Sequence, residues 1–291
     1  MVPALGKNCY VASMTIDAQT LASGDGWYLR DVTCTAGPLD RPFEERHGAV
    51  CVAAVVQGTF QYRSTAGAAL LAPGAVLLGN HGACFECGHE HGVGDRCVSV
   101  HMTPAYWEEI VAAVPGARSA AFAAPRLPPL PALLPLIAAL VAAGHDRDAA
   151  ALEELALGFA GAVAEALPAR SRAAPGPSRR IERRISDAVR RIESEDPAAP
   201  TSSLAARARE AAMSPFHFLR VFRQTVGMTP HQYVLRTRMH RAAVRLRGSN
   251  EAISAIAFDA GFNDLSTFNR RFRRIMGASP GAYRAQRAVA R

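Results

Sequence analysis

A chain of 291 residues, 49% apolar and 20% charged, has enough material for two cores of ordinary domain size, which sets aside a disordered polymer or a disulfide-stapled miniature. Its longest apolar run, 130–143, is broken by Pro131 and Pro135 and is too short to span a bilayer, and the first residues lack the basic-then-apolar pattern of a secretory leader, so a cytoplasmic protein without membrane contact is expected. The net charge of +8 is uneven: residues 178–291 hold 22 arginines against 9 acidic groups, a net of +13, and residues 1–177 come to −5. The basic half reads as the half that meets nucleic acid.

From Trp27 to Met102 the chain reads as short strands punctuated by glycine turns. Tyr28 to Cys34 is one strand, Val50 to Val56 and Thr59 to Tyr62 form a hairpin across Gln57-Gly58, and Leu70-Leu71 and Val76 to Leu78 flank a Pro73-Gly74 turn. Many short strands of this kind argue a small β-barrel or sandwich. Residues 105–167 follow, interrupted by Pro125, Pro128, Pro129, Pro131 and Pro135; beyond these, Leu152, Leu155, Phe159, Val163 and Leu167 make an apolar helical stripe that packs on the strands or on a second copy of itself.

All six cysteines (Cys9, Cys34, Cys51, Cys84, Cys87, Cys97) fall in the first third, and no secretory leader argues for disulfides among them. The chemically loaded stretch runs from Cys84 to Cys97. In an extended strand Cys87, His89 and His91 share a face, Gly92 and Gly94 permit a reversal, and Cys97 returns beside them, while Cys84 joins only if the chain bends. Three readings stand: a site for zinc or another borderline-soft transition metal, a redox or electrophile sensor with Cys87 and Cys97 as the pair, or buried thiols beside surface histidines. His47, His81 and His101 are further donors within the same region, each also readable as a satisfied side chain.

Residues 168–178, with Pro168, Pro175, Gly176 and Pro177, read as a linker between a domain at 1–167 and a domain at 179–291. Ile181, Ile185, Val189 and Ile192 mark the next helix, and 203–211 another. One pattern is then written twice. Phe218, Arg220, Phe222, Arg223, Gly227, Thr229, Pro230 and Tyr233 recur fifty positions on as Phe268, Arg270, Phe272, Arg273, Gly277, Ser279, Pro280 and Tyr283, the mark of one supersecondary unit used twice. Each copy reads as a helix-turn-helix with capped starts at Ser214-Pro215, Thr229-Pro230 and Ser279-Pro280. Phe218, Val221, Phe222, Phe268, Phe272 and Ile275 face inward; Phe216, His217, Leu219, Arg220, Arg223, Ser266, Asn269, Arg270 and Arg273 face outward and are the candidate DNA contacts. Leu235, Met239, Ala242 and Leu246 make the connecting helix a rigid strut.

These residues, above all the run from Ile253 to Phe262 followed by Phe268, Arg270, Phe272, Arg273, Gly277, Ser279, Pro280, Tyr283 and Arg284, resemble the AraC/XylS family of bacterial transcription regulators over roughly 180–287. Ala212 departs from that pattern at the turn glycine and Arg207 at an apolar position. The resemblance implies an α+β chain of two domains: an N-terminal cupin-like β-barrel with accessory helices that senses an effector and carries dimerisation, and a C-terminal all-α double helix-turn-helix. It further implies promoter DNA, RNA polymerase, a second copy of the chain and an effector as partners, and an activator without catalytic residues. Two enzymatic readings are weaker. A cysteine acceptor of alkyl groups from DNA would need a four-cysteine zinc site that the sequence lacks, and a cupin oxygenase would need a spaced His and Glu set that is not found.

Overall fold

The computed structural model of the protein describes residues 16–40, 42, 44–89, 94–115, 117, 119–146, 149–167, 178–197 and 201–285. Among the described residues the N-terminal half contains ten strands in chain order: β1 (Ile16–Gly24), β2 (Trp27–Cys34), β3 (Glu44–Arg46), β4 (Val50–Gly58), β5 (Phe60–Ser64), β6 (Gly67–Leu71), β7 (Val76–Gly79), β8 (Cys84–Gly88), β9 (Asp95–Met102) and β10 (Arg126–Leu127). They form two antiparallel sheets, ordered β1-β2-β9-β4-β7-β10 and β3-β8-β5-β6. Among the described residues no ladder joins the two sheets, so the strands form a two-sheet arrangement and no closed barrel.

The expected hairpin across Gln57-Gly58 does not form. β4 pairs with β7 and β9, whereas β5 pairs with β6 and β8, so the chain leaves one sheet and enters the other at this point. Gly58 makes the corner possible: it has φ +78, and a Cβ there would lie 2.3 Å from the Gly94 carbonyl oxygen. A continuous buried run such as β4 or β7 marks a strand but does not say which sheet receives the next one.

Three helices cover the strands: α1 (Pro104–Ala113), α2 (Leu134–Asp146) and α3 (Ala149–Ala166). Leu152, Phe159 and Val163 of the α3 stripe are fully buried in the same core as Trp27, Leu29, Val52, Val100 and Trp107. The stripe expected either on the strands or against a second copy is therefore used within the chain. The expected linker lies outside the described residues except for Ser178, which precedes α4.

Among the described residues the C-terminal half is built of seven helices: α4 (Arg179–Ser194), α5 (Leu204–Glu210), α6 (Pro215–Val226), α7 (Pro230–Gly248), α8 (Ile253–Asp259), α9 (Leu265–Met276) and α10 (Pro280–Ala285). They enclose two cores. One gathers Ile185, Val189, Phe218, Phe222, Tyr233 and Val234; the other gathers Met239, Ala242, Leu246, Ile256, Phe268, Phe272 and Tyr283. The 19 residues of α7 supply both, its first turns to one core and its last turns to the other.

The two halves are docked through the proline-rich segment that the sequence shows only as an interruption. Arg126 donates to the Thr225 carbonyl at 2.6 Å, Arg236 to the Pro129 carbonyl at 2.9 Å, and the Tyr283 hydroxyl to the Pro135 carbonyl at 3.4 Å. Leu134 and Ala138 of α2 enter the second helical core.

Candidate nucleic-acid interface and a buried ionisable cluster

Each helix-turn-helix unit is fixed by a capped start, a left-handed turn residue and an aromatic pair beneath the second helix. α6 begins at Ser214, whose hydroxyl accepts from the His217 amide, with Pro215 at the first helical position; it ends on Gly227 at φ 93. α9 begins at Asp264, whose carboxylate accepts from the Ser266 and Thr267 amides, and ends on Gly277 at φ 79. Asp264 is a cap that the cap-and-proline pattern does not reveal, because Leu265 follows it. Phe218 and Phe222 lie at a ring separation of 5.5 Å, as do Phe268 and Phe272, and all four are fully buried.

That burial fixes which way the rest of each helix points. Phe216 is 77% exposed, Arg220 and Arg223 are exposed, and His217 and Leu219 are half-buried. On α9, Ser266, Asn269, Arg270 and Arg273 are all exposed. Seven of the nine residues expected to face outward are exposed, His217 and Leu219 being half-buried, and matching positions of the two helices carry arginine: Arg220 with Arg270, and Arg223 with Arg273.

Many arginines of this half are engaged inside the fold. Arg207 forks onto both Glu195 oxygens at 2.8 Å, Arg190 pairs with Asp187, and Arg245 pairs with Glu251 and, at 2.9 Å, with Asp259. Arg184 donates to the Ala212 carbonyl at 3.0 Å and Arg284 to the Glu251 carbonyl at 2.6 Å. Among the described residues, Arg220, Arg223, Arg270 and Arg273 form no ion pair; Arg220 meets only the His217 ring, at 3.3 Å. These four guanidiniums stand in water on the outer faces, which is what a phosphate or a guanine edge requires.

In the N-terminal half the structure regroups the expected donors. β8 ends at Gly88, so Cys87 and His89 do not share one strand face; His91 lies outside the described residues. His89 meets instead Asp95 and Cys34, and one donor atom from each of the three lies within 4.8 Å of the other two. Asp95 and Cys34 are brought together by register, as the first residue of β9 and the last of β2. The His89 Nε2 lies 2.5 Å from Asp95 Oδ1, with side-chain exposures of 3% and 8%. Burial opposes the charged imidazole, but hydrogen bonds to Asp95 and Cys34 outweigh it and hold His89 up at about 9.

Among the described residues, the other cysteines are not members of this triad. Cys87 pairs with Tyr62 across the second sheet, Cys84 lies opposite Arg46, and Cys97 touches the cluster only through Asp95 Oδ2, at 3.4 Å. Burial first, then the nearby Asp95 charge, raises the Cys87 and Cys97 thiols, and burial alone pushes Cys51 up to about 12. Thiols held protonated in this way are poor nucleophiles, whether toward an alkyl group or toward a second sulfur. His47, bonded to the Tyr62 hydroxyl at 2.8 Å, and His101, stacked on Tyr28 at 4.6 Å, are satisfied within the fold, and His81 lies 3.1 Å from the Gly48 carbonyl.

Comparison with known proteins places this geometry. The helix-turn-helix domain family matches residues 207–286. HTH-type transcriptional regulator Rv1931c of Mycobacterium tuberculosis is 44% identical over 77 residues, 26% of this chain and 30% of that protein. The chain spans about a third of the length of the first curated relatives it matches. Among solved structures, the DNA-binding domain of AdpA in complex with a target DNA is 28% identical, covering 37% of this chain and 95% of that one, with a TM-score of 0.34. A cupin superfamily protein from Desulfitobacterium hafniense is 13% identical over 31% of this chain and 78% of that one, with a TM-score of 0.27. With two capped units on one shared helix and the family match lying across both, residues 207–286 form a helix-turn-helix domain similar to that of the HTH-type transcriptional regulators.

Proposed function

We propose that the protein is a sequence-specific DNA-binding transcription regulator whose N-terminal half senses an effector. The observation that carries the reading is the outer face of α6 and α9: unpaired arginines at matching positions above buried phenylalanine pairs, in the half of the chain with a net charge of +13. Arg220 and Arg270, with Phe216, His217, Leu219, Ser266 and Asn269, reach base edges; Arg223 and Arg273 hold phosphates. A helix of 19 residues is about 28 Å long, which suits two reading helices set into successive major grooves of one face of B-DNA. Promoter DNA, RNA polymerase and a second copy of the chain are the partners of such a regulator, acting in the cytoplasm. No described helix is long and apolar enough to cross a membrane.

Fluorescence anisotropy on duplexes recovered from a genomic digest tests the assignment. Arg270→Ala is expected to lose about 1–3 kcal/mol on the recovered site and little on random duplex, whereas Arg273→Ala weakens both alike and makes the salt dependence shallower. Equal losses on both duplexes for both variants would overturn the division into base and phosphate contacts. No binding by the parent chain at low salt would overturn the function.

A further inference from the structure

We propose that Cys34, His89 and Asp95 form a transition-metal site of the zinc type, with a fourth coordination position open to the cleft between the β-sheets and the DNA-binding helices. The proposal deepens the sensing part of the regulator reading and takes from it only the idea that occupancy is a signal. The donor set itself stands on the geometry.

Three different segments contribute. Cys34 closes β2, Asp95 opens β9 directly opposite it, and His89 follows β8 in the other sheet. Thiolate, imidazole and carboxylate are the ligands of zinc and its neighbours, and sulfur with nitrogen argues against calcium or magnesium. Bonds of about 2.0–2.3 Å at tetrahedral angles set the donors about 3.3–3.8 Å apart. Here the closest pair stands at 2.5 Å and no pair exceeds 4.8 Å, so small side-chain adjustments admit an ion. A dication would also draw the Cys34 sulfur, the His89 ring nitrogen and the Asp95 carboxylate into one set of bonds at a half-buried spot. A His89–Asp95 ion pair uses two of the three donors, and Cys34, which also bonds to the His89 ring and accepts from the Ala36 amide at 3.4 Å, supplies the sulfur that a zinc-type ion prefers.

The placement argues for a sensing site over a purely structural one. Closed structural zinc sites have four protein ligands, whereas three leave a position free. Both Cys34 and Asp95 line the cleft whose far wall is built by Arg190 and Glu193 of α4 and His240 and Arg241 of α7. The link to those helices is short. Asp95 is paired with Gly58 across β4 and β9, both line the cleft together with Glu193, and Glu193 accepts from the Tyr233 hydroxyl at 3.1 Å. The Glu193 carbonyl also accepts from Arg241. The glycine corner has no slack, since a Cβ on Gly94 would lie 2.8 Å from the Cys34 carbonyl oxygen. Occupancy that shifts Asp95 thus alters the wall of the cleft that α4 and α7 close from the other side.

The test uses the full chain, purified without a histidine tag, reduced, stripped with a chelator and titrated with Co²⁺ alone. Uptake of one equivalent is expected, with a thiolate-to-cobalt charge-transfer band and the strong visible bands of a tetrahedral ion, both bleached by Zn²⁺. Cys34→Ser abolishes the charge-transfer band, Asp95→Asn weakens cobalt binding at least tenfold, and Cys84→Ser changes neither. Asp95→Asn preserves shape, so it remains decisive if Cys34→Ser fails to fold by circular dichroism. Absence of stoichiometric uptake, or a charge-transfer band that survives Cys34→Ser, overturns the site. DNA binding is a separate measurement on the same sample: its absence beside intact cobalt bands would count against the regulator reading and leave the metal site supported.

Discussion

The two helix-turn-helix units share a plan but are secured by different physics. In the second, Gly261 turns the chain at φ +79 so close to the preceding segment that a Cβ would lie 1.9 Å from the Pro197 carbonyl oxygen, and Ile256 is fully buried under the turn. In the first, the turn residue is Ala212, held at φ 51, and the position matching Ile256 is Arg207, buried to 5% exposure and forked onto Glu195. One unit is held by apolar packing around a glycine, the other by a buried ion pair around a strained alanine. The repeat also changes its offset at this point: α5 and α8 begin 49 residues apart, at Leu204 and Ile253, while α6 and α9 begin 50 apart, at Pro215 and Leu265. The second turn is one residue longer, which lets Asp264 serve as a cap where the first unit uses Ser214.

The largest expected effect is at Gly261. Gly261→Ala forces a methyl into backbone at a left-handed position and is expected to cost about 3 kcal/mol or more, read as a lower midpoint in urea. Next comes Arg207→Ala, which strands Glu195; because that carboxylate is about a third exposed, the loss should be about 2–3 kcal/mol, below the range for a fully buried pair. Copying the second unit with Arg207→Ile and Glu195→Gln together should recover most of it, and failure to recover would show that the ion pair does more than fill the place of Ile256. Ala212→Gly runs the other way: relief of the left-handed backbone should raise stability by about 0.5–1 kcal/mol by the same denaturation. The smallest effect is electrostatic. Hydrogen bonds from the Thr267 side chain, then from the Thr267 and Ser266 amides, hold the Asp264 carboxyl below the usual aspartate range. Its stabilisation of α9 is therefore complete above the unfolded-state value and is lost as pH falls through the lower folded-state value. Asp264→Asn, an uncharged cap, should flatten that part of the acid limb of a thermal-denaturation series.

The same contrast shows what the sequence discloses. The doubled pattern of phenylalanine, arginine, glycine and proline exposes the helical half, because helix periodicity, caps and left-handed glycines are local and repeat in register. Arg207 and Ala212 stand out in the sequence as departures from the pattern, and the structure supplies what balances the first: Glu195 for its charge. The strand half discloses less. Its strands are visible as short runs between glycine turns, but the crossing at Gly58 is not, since such a run reads the same whichever sheet receives the next strand. The cluster around His89 needs the register that sets Cys34 opposite Asp95, residues far apart in the chain, so a reading confined to 84–97 reaches only part of it. The docking of Pro128, Pro129 and Pro135 against the helices is equally invisible, because breaker residues announce where a helix stops and not what they rest upon.

Because α7 inserts Tyr233 and Val234 into one core and Met239 and Leu246 into the other, it works like a threaded shaft with a tool fixed at each end. Lengthening it by a single residue would advance the far tool by about 1.5 Å and spin it by about 100°. Distance and angular phase cannot be changed independently in such a device. Evolution can recut the faces of α6 and α9 one residue at a time, but it cannot respace them without rebuilding both cores.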